Sequence, residues 1–190
     1  RKVICYVDVG SWEDYRDDKD RFPSSVIGQE YQGYADERWL DIRQIETLAP
    51  ILQARFDTCR DKGFDAVEAD NVDGFEQNTG FSITAADQLR FNRWVASEVQ
   101  KRGMLAALKN DGTQTAELVN YFDLVVTEEC VIQENCQQYA PFRTAGKLHI
   151  HAEYTDTPIK LDQMCAAAKT QKITSVLKRR ALDAFRETCN

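Results

Sequence analysis

Two acidic residues in the segment 63–75 have the types and spacing that chemistry needs. Glu68 and Asp70 lie two positions apart at the end of a short alternating stretch, so in a β-strand both carboxylates lie on one face. Two like charges at such a short distance raise the pKa of one of the two carboxyl groups. Enzymes use such pairs when they need an acid or base near neutral pH. The Asp-Asn and Asp-Gly pairs that follow are also turn signals, so a helix N-cap with a solvated turn is the alternative interpretation.

Hydrophobic periodicity indicates how this stretch is positioned. It predicts six strands, over 3–9, 64–70, 104–111, 124–130, 147–154 and 172–178. It predicts helices over 41–61, 84–102, 114–121, 137–145 and 162–169, with a break near Pro50 in the first. Polar residues stand at the carboxyl ends of the strands: Asp8, Asp70, Lys109, Asn110, Glu128 and Glu153.

Regular alternation of strand and helix predicts an α/β fold class with a parallel sheet and helices outside it. A TIM-type (β/α) barrel builds its active site at the carboxyl ends of its strands, and so does a doubly wound sheet. No glycine-rich phosphate loop follows any strand, which disfavours a nucleotide-binding version. Residues 10–40 are interpreted as a long functional connection, whose aromatic rings suit either stacking on sugar faces or loop packing: Trp12, Tyr15, Tyr31, Tyr34 and Trp39.

Length and charge narrow the class of protein. The 190 residues fit a single domain, 1–190, and 31 acids against 24 bases give a net charge of −7. That charge disfavours nucleic-acid and anionic-membrane partners and suits a neutral or cationic substrate. No apolar run reaches the length of a membrane span, and the first residues lead straight into a strand, so we expect a mature or trimmed chain, as a monomer.

Six cysteines without Cys-x-x-Cys or zinc-type spacing predict three disulfides in a secreted, extracellular protein. Six buried thiols in a cytosolic enzyme are the alternative. Cys5 points outward from a strand and Cys59 lies on the apolar stripe of a helix, which makes them natural partners. Cys130 and Cys136 bracket a short loop, and Cys165–Cys189 is the remaining pair.

Seven short motifs recur in a recognisable order. Together they make the whole chain similar to the endo-α-1,4-polygalactosaminidases, glycoside hydrolase family 114. The motifs are Val-Ile-Cys-Tyr (3–6) with Gly-Ser-Trp-Glu (10–13), Glu-Arg-Trp-Leu-Asp-Ile-Arg (37–43), Ala-Asp-Asn-Val-Asp-Gly (69–74), Asp-Gln-Leu (87–89) with Asn-Arg-Trp (92–94), Leu-Lys-Asn (108–110), Glu-Glu-Cys (128–130) with Cys136, and Glu-Tyr (153–154).

The resemblance implies a TIM-type barrel that hydrolyses α-1,4-linked, partly deacetylated and hence cationic galactosamine polymers without a cofactor. It implies that Asp70 is the nucleophile and Glu128 the acid/base. Family members normally begin with two further β/α units, so we expect an incomplete or opened barrel of six strands. Asp8 departs from the small or amide residue expected at its position.

We expect a retaining mechanism, for which the two carboxyl groups lie about 5–5.5 Å apart, whereas about 6.5–9.5 Å implies inversion. The remaining candidates are substrate contacts. Acidic residues would hold the amine, Lys109 and Asn110 would bind ring hydroxyls, and rings would contact the sugar; each charged candidate also fits a buried ion pair. The full substrate-binding set is Asp8, Tyr6, Trp39, Glu68, Asp73, Lys109, Asn110, Glu153 and Tyr154.

Two other functions fit the sequence. A metal-dependent polysaccharide deacetylase would use His151 and Glu153 with Asp70 or Asp73 as ligands, although no helix carries a His pair. A carbohydrate-binding or inactive hydrolase-like protein would keep the groove without turnover.

Overall fold

The computed structural model describes residues 1–189, and the chain divides into two compact units. The first comprises Arg1–Lys109 and the second begins at Asn110. Each unit is described by itself. The single domain over 1–190 stays a prediction.

The first unit contains two sheets and two long helices. Its elements are β1 (Ile4–Asp8), β2 (Ser11–Glu13), β3 (Ile27–Tyr31), β4 (Tyr34–Leu40), α1 (Ile45–Asp61), β5 (Ala66–Asp70), α2 (Ala85–Lys101) and β6 (Leu105–Lys109). β5 lies between β1 and β6 in a parallel sheet. The register places Asp8 opposite Asp70, so two acidic residues meet at the carboxyl end of neighbouring strands.

The helices of this unit follow the predicted periodicity. The apolar side of α1 is buried, including Phe56 and Cys59. α1 begins four residues later than predicted because the carboxylate of Asp41 instead accepts hydrogen bonds from the side chains of Arg43 and Gln44. It continues through Pro50, so the predicted break is wrong. A capping box formed by Thr84 and Asp87 starts α2.

The interpretation of residues 10–40 as an irregular connection is wrong. They form a three-stranded antiparallel sheet in the order β2-β4-β3. Most side chains of β3 and the first half of β4 are exposed or half-buried, so the sequence lacks the apolar alternation that normally marks a strand. The Gln32-Gly33 turn between them is the signal that could have indicated a hairpin.

The second unit carries three parallel strands, β7 to β9, and a short antiparallel one at the end. Its elements are α3 (Thr115–Leu118), β7 (Leu124–Glu128), α4 (Ala140–Thr144), β8 (Leu148–Tyr154), α5 (Leu161–Gln171), β9 (Thr174–Lys178) and β10 (Glu187–Thr188). The predicted helices over 114–121 and 137–145 are shorter than expected, because part of each segment is a 3-10 turn.

All six predicted strands are present, with helices between them, which confirms the α/β class. The three predicted disulfides are present too, with Cα–Cα distances of 6.0 Å for Cys5–Cys59, 4.8 Å for Cys130–Cys136 and 5.3 Å for Cys165–Cys189. Over the described residues, no helix combines the length and apolarity that crossing a membrane requires.

Candidate active site

In the first unit, Asp70 has a partly exposed carboxylate with three donors aimed at it. Its Oδ1 accepts from the backbone N–H of Asn71 at 2.9 Å and lies 3.4 Å from the Lys109 ammonium. Its Oδ2 accepts from the hydroxyl of Tyr6 at 3.0 Å. Three donors fix the orientation of the carboxylate while leaving it accessible, which suits a nucleophile.

Lys109 changes the expected relation between Glu68 and Asp70. Its ammonium lies 3.4 Å from an oxygen of each carboxylate and is almost fully buried. The two acids therefore share a cation instead of facing each other alone. Lys109 contacts the carboxylates of Glu68 and Asp70 in this structure, and its binding to ring hydroxyls stays a prediction.

Asp8 is fully buried beside Asp70 and is enclosed by donors. Its carboxylate accepts from the backbone N–H groups of Gly10 and Ser11, the Ser11 hydroxyl and the Asn71 amide. Burial and the charge of Asp70 raise the pKa of Asp8 well above its ordinary value. With its oxygens occupied, Asp8 anchors the turn after β1, and the prediction that it grips a substrate amine is not supported.

The turn after β1 depends on a close approach of two backbones. A Cβ added at Gly10 would lie 1.6 Å from the carbonyl oxygen of Asn71. Glycine is therefore needed for the chain after β1 to pack against the residue that follows Asp70.

Asp73 is an acidic residue with a pKa raised toward neutral pH. Burial and the neighbouring charge of Asp70 raise its pKa to about 6. A cation that binds beside Asp73 would lower that pKa again, because an opposite charge favours the ionised form. Asp73 therefore remains a candidate for holding a substrate amine.

A second group of charged residues lies around Asp8 and Asp70, and this group was not predicted. Glu13 is buried and pairs with Arg16 at 2.6 Å and with Arg55 at 3.7 Å. Glu37 accepts from the Ser11 hydroxyl at 3.1 Å, and burial raises its pKa. Glu13, Arg16 and Glu37 lie in the segment 10–40, which was predicted to be a connection, whereas Arg55 lies on α1.

In the second unit, Glu128 at the end of β7 is held by two neighbours. The hydroxyl of Tyr154 donates to Oε1 of Glu128, and the backbone N–H of Glu128 donates to the side-chain oxygen of Asn110 at 3.0 Å. The Arg180 guanidinium lies 3.9 Å from the centre of the Tyr154 ring and pairs with Asp156. Tyr154 and Asn110 thus position Glu128, which differs from their predicted contact with sugar.

Glu153 lies on the opposite face of β8 from Tyr154, because side chains alternate along a strand. It is fully buried, and its Oε1 accepts from the backbone N–H groups of Val131 and Ile132 at 2.9 and 3.1 Å. Glu153 therefore secures the loop after β7, and the prediction that it binds an amine is not supported.

A buried hydrogen-bond chain leads to Glu153. The Thr127 hydroxyl lies 2.8 Å from His149 Nε2 and 3.0 Å from His151 Nδ1, and His151 Nε2 lies 3.0 Å from Glu153 Oε1. Burial and the charge of Arg143 lower the pKa of His149 to about 3, so this ring is neutral. Arg143 faces its Nδ1 at 3.3 Å, so the ring hydrogen lies on Nε2 and points at Thr127.

No group of three or more His, Cys, Asp or Glu side chains among residues 1–189 is arranged to hold a metal ion. His151 and Glu153 contact each other, and the hydrogen-bond chain accounts for both.

The comparisons with known proteins decide the family. The model of the glycoside-hydrolase family GH114 matches residues 1–190. The chain belongs to glycoside-hydrolase family GH114. It is a glycoside hydrolase, and the family suggested by the motifs is confirmed.

Solved structures agree with the GH114 assignment. Ega3 from Aspergillus fumigatus, solved in complex with galactosamine, is 34% identical with a TM-score of 0.91, over 100% of this chain and 79% of Ega3. The glycoside hydrolase domain of PelA from Pseudomonas aeruginosa is 13% identical with a TM-score of 0.71, over 99% of this chain and 82% of that one. These likenesses confirm the predicted TIM-type fold class. No curated protein sequence matches the GH114 chain significantly.

The rings predicted to contact sugar have different surroundings in this GH114 hydrolase. Trp39 is only 5% exposed, because Tyr31 stacks on it with ring centres 4.7 Å apart. Tyr6 is 45% exposed while its hydroxyl reaches Asp70. Tyr31, predicted from the sequence only as a ring that suits sugar stacking or loop packing, therefore presents the accessible ring where Trp39 was expected.

Asn71 and Arg180 were missed for different reasons. Asn71 belongs to the Asp-Asn motif, so the signal was present without a role attached to it. Arg180 follows β9 in a segment with no motif, and only its contacts in the folded second unit connect it with Tyr154.

Proposed function

We propose that the protein hydrolyses α-1,4-linked galactosamine polymers from within the chain, by a retaining mechanism. The observation that carries this proposal is family GH114 membership together with 34% identity to Ega3, which was solved with galactosamine. The acidic surroundings of Asp70 support a cationic amino sugar as substrate, because carboxylates attract ammonium groups. We also propose that residues 1–190 act as one hydrolase domain.

In this proposal Asp70 attacks the anomeric carbon and forms a glycosyl-enzyme ester, while the bond to the leaving oxygen breaks. The donors on Asp70 support this role: Tyr6, Lys109 and the backbone N–H of Asn71 hold its carboxylate in a fixed orientation. Asp73 is the side chain proposed to hold the substrate amine, beside the reacting carboxylate.

Glu128 is proposed as the acid/base. It protonates the leaving oxygen in the first step, then removes a proton from the water that cleaves the ester. Tyr154 and Asn110 support the role by fixing the side chain and backbone of Glu128, because proton transfer requires a positioned group.

The three disulfides support an extracellular site of action, since disulfides persist in oxidising compartments. A polymer substrate outside the cell is compatible with that location.

The stereochemistry of the first product tests the mechanism. We expect proton NMR of the reaction with a defined α-1,4-galactosamine oligosaccharide to show the α-anomer before mutarotation. The Asp70→Asn variant should lose at least about a hundredfold in kcat, because the amide cannot act as the nucleophile. A β-anomer as first product, or an unchanged rate in Asp70→Asn, would exclude the retaining role of Asp70.

A further inference from the structure

A cleft of about 480 Å³ lies in the first unit, between the β3–β4 hairpin and the loop at residues 77–78. Its volume is within the range of small-molecule sites. Tyr31 and Trp39 line it together with four amide side chains, Gln29, Gln32, Gln77 and Asn78; Glu30 is its one carboxylate. The roles of Asp70 and Asp73 leave this cleft unexplained.

Tyr31 has the properties of a sugar-stacking platform. One face of its ring is packed on Trp39 at an interplanar angle of 26°, and the edge contact with Tyr34 has ring centres 5.5 Å apart. Two aromatic neighbours restrict the ring before any ligand arrives, so stacking costs little conformational entropy.

The wall of the cleft is held by backbone contacts. The N–H of Gln29 donates to the carbonyl oxygen of Thr79 at 2.9 Å. A Cβ at Gly28 would lie 2.2 Å from that same oxygen, so only glycine permits β3 to approach the loop this closely. The cleft is therefore a formed feature of the unit.

The chemistry of the lining differs from that around Asp70. Amide side chains both donate and accept hydrogen bonds without a charge, which matches sugar hydroxyls and an acetamido group. The register places Glu30 opposite Arg38, so the carboxylate has a cationic neighbour across the strands. Burial, followed by the charges of Asp73 and Asp70, raises the pKa of the Tyr31 hydroxyl, so this ring lies within electrostatic range of both acids.

We propose that this cleft is a subsite for an uncharged, N-acetylated hexosamine unit of the substrate chain. The inference rests on the proposed function and adds that the enzyme recognises a pattern: a free amine near Asp70 and an acetylated unit at Tyr31.

A charge-switch variant tests this recognition. Gln77→Glu places a carboxylate on the exposed rim, and Gln163→Glu adds the same charge on α5 as a control. The quantity compared is the kcat/KM for the acetylated oligosaccharide divided by the kcat/KM for the fully deacetylated one. We expect Gln77→Glu to shift this ratio about fivefold toward the deacetylated substrate. The control should keep the wild-type ratio. Equal ratios in wild type and Gln77→Glu would overturn the subsite while leaving the hydrolase function intact.

Direct binding separates the two proposals. If the wild type releases no product, the proposed function fails, and binding of an N-acetylgalactosamine oligosaccharide is then measured by calorimetry. The subsite predicts that Tyr31→Ala weakens this binding about tenfold and that Tyr31→Phe does not. No binding by the wild type, or equal binding by Tyr31→Ala, would overturn it.

Discussion

At the scale of single residues, the acids of the first unit differ mainly in the donors around them. Asp8 is buried under four donors, and Asp70 has three and stays partly accessible. Asp73 is half-buried with fewer compensating contacts, and burial together with the charge of Asp70 raises its pKa to about 6. Three carboxylates close in sequence or register thus suit anchoring, attack and amine binding respectively.

The raised pKa of Asp73 predicts a pH-dependent stability. Below about pH 4 the residue is protonated in both the folded and unfolded chain. Between about pH 4 and 6 the unfolded chain loses the proton first, so the free energy of unfolding falls as pH rises through this window. Asp73→Asn removes this penalty, and we expect it to stabilise the protein by about 1–3 kcal/mol at pH 7 and by little at pH 4.

Urea unfolding at the two pH values measures this difference, with the exposed Asp17→Asn as control. The same stability difference between wild type and Asp73→Asn at pH 4 and pH 7 would contradict the assigned pKa.

The buried hydrogen-bond chain of the second unit gives a second prediction. Thr127→Val keeps the shape of the side chain but leaves His149 Nε2 and His151 Nδ1 without their partner. We expect a loss of about 1–3 kcal/mol in the free energy of unfolding, because buried polar groups without hydrogen bonds are costly. Thr174→Val, at an exposed position of β9, should change stability by less than about 0.5 kcal/mol. Equal urea midpoints for Thr127→Val and wild type would contradict a stabilising role for the buried hydrogen-bond chain.

The sequence could predict which residues cluster but not what each does. The alternation of β8 places His149, His151 and Glu153 on one face, and they do lie together. Their partner Thr127 comes from another strand, and only the register of β7 against β8 reveals it. The same limit applies to Tyr154, whose motif was recognisable while its hydrogen bond to Glu128 was not.

At the scale of elements, the turn after β1 connects the parallel sheet with the three-stranded sheet. Gly10 contacts the backbone of Asn71, and its carbonyl accepts from the N–H of Leu40 at 2.9 Å. One residue therefore fixes the turn against both the end of β5 and the end of β4.

Gly10→Ala should displace this turn and the groups around Asp70. We expect a loss of activity of about a hundredfold, because a shift near 1 Å in catalytic geometry has that effect. Gly63→Ala is the matched control, since a Cβ there meets no atom within 4 Å but its φ of +78° is strained. It should lose about 1 kcal/mol of stability and keep its activity. Full activity in Gly10→Ala would contradict the importance of the close approach.

Elements with a strong local signal were predictable, and those formed by distant pairing were not. The strands of the parallel sheet are apolar, and α2 has a capping box at its start. The hairpin of β3 and β4 is polar and exposed, so its pairing has no signature in hydrophobic periodicity. Pro50 predicted a break in the helix, whereas α1 continues through it.

At the scale of the whole molecule, charge and cross-links agree with the family. The net charge of −7 suits a cationic polymer, and three disulfides close loops of different length, from Cys130–Cys136 to Cys5–Cys59. Membership in GH114, inferred from seven short motifs and confirmed over residues 1–190, is consistent with both features.

The most direct test of the central claim is product release from a partly deacetylated α-1,4-galactosamine polymer, followed by mass spectrometry. We expect wild type and the exposed control Glu117→Gln to release oligosaccharides at equal rates, and Glu128→Gln to be slower by about a thousandfold, because the amide cannot transfer the proton. Wild-type rates in Glu128→Gln, or no oligosaccharides from the wild type, would contradict the account.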